Sequence, residues 1–152
     1  MPKTTDTSRF HYADRAYKIE IPEHLKGKQV RATWVTYKER SLFGCDFSGY
    51  ESDPEGLHIE IEYSDLVIKQ QPANSLLVAV VLHKTKITPE IIEFFRINAV
   101  REHNPIRKMA VLFLPDYRRF WYRWVQHGIW PDHTCFLDDY EQAKKWLISD
   151  SF

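Results

Sequence analysis

Glycine and cysteine are both scarce in this chain. Its five glycines, Gly27, Gly44, Gly49, Gly56 and Gly128, fall in no G-x-G-x-x-G or G-x-x-x-x-G-K-S/T spacing, which argues against nucleotide binding through a standard phosphate loop. Two cysteines, Cys45 and Cys135, are too few for a disulfide scaffold, and both are expected as thiols. Neither charge sign is in excess: 21 Lys and Arg balance 21 Asp and Glu. No global field therefore draws the chain to nucleic acid or an anionic membrane, and no nucleic-acid partner is expected. Long apolar runs are missing too. The longest, Leu76 to Leu82, has seven residues, against the roughly 20 that a membrane span needs. The first ten residues contain no apolar stretch of the signal-peptide kind, so the expectation is a cytoplasmic protein without a membrane span.

Catalytic motifs are also lacking. Ser48 stands in Asp46-Phe47-Ser48-Gly49-Tyr50, where a nucleophile elbow would need glycine at the position of Asp46. It reads as a turn residue. Cys45 sits within an apolar strand and reads as a buried, inert thiol. The chain is read as non-enzymatic and without a cofactor.

What is present is a chain of 152 residues with 43% hydrophobic and 14% aromatic content, enough for one self-sufficient core. A polar stretch at 1–9 precedes a single domain over 10–150. Tyr17–Ile21 alternates apolar and polar residues as a strand does. Val30–Tyr37 and Leu42–Phe47 read as two further strands, joined through the charged turn Lys38-Glu39-Arg40 into a hairpin. Gly56–Gln71 fits both periods, because Ile59, Ile61 and Tyr63 alternate while Leu57, Ile61 and Ile68 share a helical face. Its length favours helix. Ser75–Leu82 reads as a strand covered on both faces.

Thr88-Pro89-Glu90 has the composition of a helix start, with Ile92, Phe95, Ala99 and Val100 following at helical spacing. Met109–Leu114 reads as a strand. Tyr117, Phe120, Trp121, Trp124 and Val125 form an amphipathic stripe that ends at Gly128. Thr134–Leu137 is a short strand, and Asp138 with Glu141 resembles a capping box for a last helix whose inner face is Tyr140, Ala143 and Leu147. Repeated strand–helix–strand units predict an α/β fold. The expected sheet is mixed and largely parallel, of about five to six strands, with an N-terminal antiparallel hairpin and about four helices mostly on one face.

Over residues 37–148 the order of motifs resembles the STAS-like domains (anti-sigma-factor-antagonist-like), and within them a small stand-alone bacterial branch. The residues that carry the resemblance are Cys45-Asp46-Phe47-Ser48-Gly49, Asn74-Ser75-Leu76-Leu77-Val78, Ile87 to Phe95, Arg107-Lys108-Met109-Ala110-Val111 and Phe136 to Leu147. The resemblance implies a four- to five-stranded mixed sheet and a role in binding or regulation rather than catalysis. In anti-sigma-factor antagonists a serine in an Asp-Ser-Ser-Gly-like loop after the central strand is phosphorylated. The matching loop here, His83–Thr88, lacks that pattern. Its only hydroxyls are Thr85 and Thr88, flanked by Lys84 and Lys86, and these four make a candidate phosphorylation or anion site. The plain alternative is that Thr88 is simply an N-cap.

Two other constellations stand out. His127, Asp132, His133 and Cys135, with Asp138 or His103 as a further ligand, form a metal-like group. The H-x(5)-H-x-C spacing matches no standard zinc module, so no metal is expected. Residues 101–123 hold six basic residues (Arg101, Arg107, Lys108, Arg118, Arg119 and Arg123) against Glu102 and Asp116, whereas 51–65 hold six acids and no base. Arg107, Arg118, Arg119, Tyr122 and Arg123 are a candidate interaction surface, and the opposed charges allow head-to-tail pairing of copies. The leading expectation is a regulatory or scaffolding domain that acts through a protein partner. The alternative is a module that binds a small ligand or lipid in an apolar pocket under the Trp-rich helix.

Overall fold

The computed structural model describes residues 20–114 and 133–149. The helix read at Tyr117–His127 lies outside the described residues, as does all of the first expected strand except Glu20 and Ile21, which are not in a strand.

Each helix begins where a short polar side chain can hold free backbone donors. Asp53 accepts from the Gly56 N–H at 2.9 Å and Pro54 takes the first helical position, which opens α1, Pro54–Lys69. Thr88 accepts from the Ile91 N–H at 3.2 Å and opens α2, Pro89–Val100. Asp139 accepts from the Glu141 N–H at 2.8 Å and the Gln142 N–H at 3.3 Å, opening α3, Tyr140–Ile148. The cap of α3 is thus Asp139 rather than Asp138. That shift puts Tyr140 at the first helical position, where it is 53% exposed, while Ala143 and Leu147 are buried as expected. A 3-10 turn covers Glu23–Leu25.

The strands are β1 Thr33–Tyr37, β2 Arg40–Asp46, β3 Leu76–Val81, β4 Ile106–Leu112 and β5 Thr134–Leu137. They form one five-stranded sheet in the order β1-β2-β3-β4-β5. β1 and β2 are an antiparallel hairpin, and every other neighbouring pair is parallel. The expected α/β class, hairpin and parallel body are therefore present. Among the described residues there are five strands and three α-helices, rather than five to six and about four.

β3 explains the layering. Leu76, Val78, Val80 and Leu82 point to a core shared with Phe43, Met109 and Val111 of the sheet, with Ile61 and Val67 of α1, and with Phe94 and Phe95 of α2. Leu77 and Val81 point the other way, to Leu42, Ala110, Leu112 and the α3 residues Ala143 and Leu147. α1 and α2 thus cover one face and α3 the other, so two of the three described helices share a face. A continuous apolar strand needs cover on both faces, and each large side chain so buried contributes about 1.5–3 kcal/mol. Among the described residues no helix is long and apolar enough to cross a membrane.

Candidate functional site

In parallel α/β sheets the loops beyond the carboxyl ends of the strands are where ligands and partners meet the protein. Here that edge is built by the segments after β2, β3 and β4 and by the start of α3. The segment after β3 is the loop His83–Thr88. The Thr85 N–H closes a turn onto the Leu82 carbonyl at 3.2 Å, with Lys84 in the left-handed region at φ 55°. Thr85 itself is buried. Its hydroxyl donates to the Phe47 carbonyl at 2.9 Å, and the His83 carbonyl lies at 3.2 Å, so it pins the loop to the end of β2. Thr88 is half-buried and serves as the N-cap of α2. Of the four residues in the candidate anion site, the two hydroxyls are thus engaged in structure, while Lys84 and Lys86 are exposed.

Next to the lysines runs a string of rings. His83 contacts Phe113 edge-on with centroids 5.2 Å apart, and Phe113 contacts Tyr140 at 5.5 Å. Phe113 follows β4 and is held at φ 60°, a costly conformation for a bulky residue. Its N–H donates to the Leu137 carbonyl at 3.0 Å, so the parallel ladder to β5 fixes its place. Backbone strain of this kind gathers at functional surfaces. Burial pushes the Tyr140 phenol above its ordinary pKa, with Asp46 adding to the shift. Nothing in the residue pattern around Phe113 signals its backbone conformation; only its place at a strand's carboxyl end points to it.

The β2 side of the same edge holds a self-contained polar cluster. The Asp46 carboxylate accepts from the Ser48 N–H at 3.0 Å and also from the Ser48 hydroxyl, so Ser48 is the turn residue its surroundings suggest. The Arg31 guanidinium stacks on Tyr50, 4.2 Å from the ring centre, donates to the Ser48 carbonyl at 2.7 Å and lies 3.5 Å from Asp46. Tyr50 donates to Glu60 at 2.8 Å. Burial raises the Tyr50 pKa; the Glu60 carboxylate raises it further, and Arg31 opposes the shift. Glu60 is fully buried and also accepts from the Arg31 N–H at 2.9 Å and the Ala32 N–H at 2.8 Å. These groups satisfy one another. Cys45 lies beneath them with its thiol pushed up to about 12 by burial, far from a nucleophile's range.

The charge polarity seen along the chain is partly neutralised within the fold. From the acidic stretch, Glu60 is buried, Asp65 pairs with Arg101 at 2.6 Å, and Glu62 meets His24 at 2.6 Å. From the basic stretch, Lys108 turns inward and is buried. It donates to the Trp146 and Ser149 carbonyls at 2.7 and 2.9 Å. Arg107 is half-buried on β4. Arg118, Arg119, Tyr122 and Arg123 lie outside the described residues, as does the Trp-rich helix that would roof a lipid pocket.

His127 and Asp132 also lie outside the described residues. His133 is exposed, Cys135 is half-buried on β5, and His103 is exposed beyond the end of α2. Among the described residues no three His, Cys, Asp or Glu side chains gather in a way that could hold a metal ion. No family model matches the chain, and neither a curated protein nor a solved structure is significantly similar to it.

Proposed function

We propose that this chain is a non-enzymatic, STAS-like regulatory or scaffolding domain that docks a protein partner on the carboxyl edge of its parallel strands. The observation that carries this reading is the string His83–Phe113–Tyr140, with Phe113 held at φ 60°, beside the exposed Lys84 and Lys86. Aromatic rings are what protein interfaces favour at their centre, and flanking lysines supply a positive rim that steers an acidic partner. Asp46, Ser48, Thr85, Thr88 and Asp139 engage one another or the backbone, so a partner meets the lysines and rings with the exposed Asp138 at their margin. That surface suits a segment in which acidic residues flank an apolar or aromatic anchor.

A photo-crosslinking residue at Tyr140, introduced into the full chain and expressed in its own host, tests the reading. One recurring protein partner is expected, and the crosslink is expected to vanish in the double variant Lys84→Glu, Lys86→Glu. Failure to capture any recurring partner, or a partner held equally well by the double variant, would overturn the assignment of this edge.

A further inference from the structure

β1 is an edge strand, with β2 on one side and no described strand on the other. Which of its backbone groups are spent follows from β2. The Phe47 N–H donates to the Val81 carbonyl at 3.0 Å, in the direction of β3. With a period of two, Cys45 and Phe43 turn their groups the same way, while Gly44, Leu42 and Arg40 turn theirs toward β1. Their cross-strand partners are Thr33, Val35 and Tyr37. The N–H and C=O groups of Trp34 and Thr36 therefore point outward. The Trp34 carbonyl receives the Thr33 hydroxyl at 3.5 Å, too long to satisfy it.

Natural edge strands are guarded by charges, prolines or bulges. From Ala32 to Tyr37 this one has no charged residue and no proline, and its register with β2 is unbroken. Its sequence is also complementary to itself about Val35. Place two copies antiparallel across a two-fold axis at Val35, and Trp34 faces the partner's Thr36. Those are the two residues whose groups point outward, so each such pair exchanges two hydrogen bonds. Val35 then meets the partner's Val35 in the non-hydrogen-bonded position, where side chains come closest. A slip of one residue would set Trp34 against the partner's Tyr37, whose groups are already bonded to β2.

We infer that β1 is the interface of a symmetric dimer, in which two five-stranded sheets join edge to edge through Thr33–Tyr37. This surface is separate from the loop His83–Thr88 and leaves it open to a partner.

Sedimentation velocity of the full chain between about 1 µM and about 100 µM tests the dimer. Thr36→Pro removes an outward N–H that β2 does not use, a position where an edge strand tolerates proline. Val35→Lys sets two ammonium groups against each other on the axis. Both variants are expected to weaken dimerisation at least about 100-fold, with an unchanged circular dichroism spectrum. Should Thr36→Pro fail to fold, crosslinking decides. On a Cys135→Ser background, where Cys45 is buried, Val35→Cys is expected to give a covalent dimer on mild oxidation and Thr33→Cys is not. A wild-type chain that stays monomeric throughout overturns the inference. So does a dimer whose affinity ignores both substitutions, or a Val35→Cys chain that does not crosslink.

Discussion

The Tyr50 hydroxyl donates to the fully buried Glu60 carboxylate at 2.8 Å, and through that carboxylate the loop after β2 is tied to the backbone that leads into β1. Glu60 takes the N–H groups of both Arg31 and Ala32 as well, so one α1 side chain satisfies three donors from two distant segments. Glu60→Gln keeps the shape but turns an NH2 toward donors. It is expected to cost about 2–4 kcal/mol in urea unfolding, while Tyr50→Phe costs about 1 kcal/mol. The two effects should be non-additive, because Tyr50 acts through the group that the first substitution changes. A Glu60→Gln variant as stable as wild type would remove this cluster from the account of the fold.

Lys108 closes the far end of α3. Its ammonium donates to the carbonyls of Trp146 and Ser149 and to the Ser149 hydroxyl at 2.7–3.0 Å, and it lies 4.6 Å from the centre of the Trp146 ring. A cation at a helix C-terminus also complements the dipole. Lys108→Met keeps the stem and removes the donors, so a loss of about 2–3 kcal/mol is expected in chemical denaturation. Near-UV circular dichroism of Trp146 should change with it.

These two residues show where sequence reading succeeds and where it stops. Thr88-Pro89-Glu90 is legible because capping is local chemistry, and α2 begins at Pro89. Asp53-Pro54-Glu55 carries the same signal, and α1 begins at Pro54, two residues ahead of the start expected at Gly56. The run Ser75–Leu82 is legible because burial on both faces leaves no polar position. Glu60 and Lys108 are opaque for one reason. A charged residue reads as a solvated one unless its partners are known, and those partners lie 10 to 41 residues away in the chain. The same gap applies to Phe113, whose backbone conformation is set by pairing with Leu137 across the ladder.

The β1–β2 hairpin turns through two residues that favour other conformations. Lys38 and Glu39 both have positive φ, 47° and 67°, as a two-residue turn requires if it is to match the strand twist. Side chains other than those of Asn, Asp and Gly lose about 1 kcal/mol per position in this region. The double change Lys38→Asn, Glu39→Gly is expected to raise stability by about 1 kcal/mol and to leave the ladder Thr33–Tyr37 with Arg40–Gly44 unchanged. Thermal unfolding checks the first outcome, and amide exchange at Val35 and Leu42 checks the second. A lower melting temperature would show that the native pair contributes more than its backbone costs.

His58 joins α1 to the first turn of α2. Its Nδ1 lies 2.6 Å from Glu90, its Nε2 lies 3.7 Å from Glu62, and the same Glu62 carboxylate holds His24 on the 3-10 turn at 2.6 Å. The hydrogen bond and charge of Glu90 raise the His58 pKa above its ordinary 6.5, with Glu62 adding to the shift and desolvation opposing it. A raised folded-state value means that the folded protein binds the proton more tightly than the unfolded chain. The stabilisation is therefore complete below about pH 6.5 and is lost as pH rises through the folded value. The imidazole is well exposed, so the gain stays under about 1 kcal/mol. His58→Gln is expected to lower stability at pH 6 and to match wild type at pH 9. Glu90→Gln should reproduce the loss at pH 6, and added salt should shrink it. Parallel pH–stability curves for wild type and His58→Gln, with no convergence at high pH, would show that the contact works through packing rather than charge.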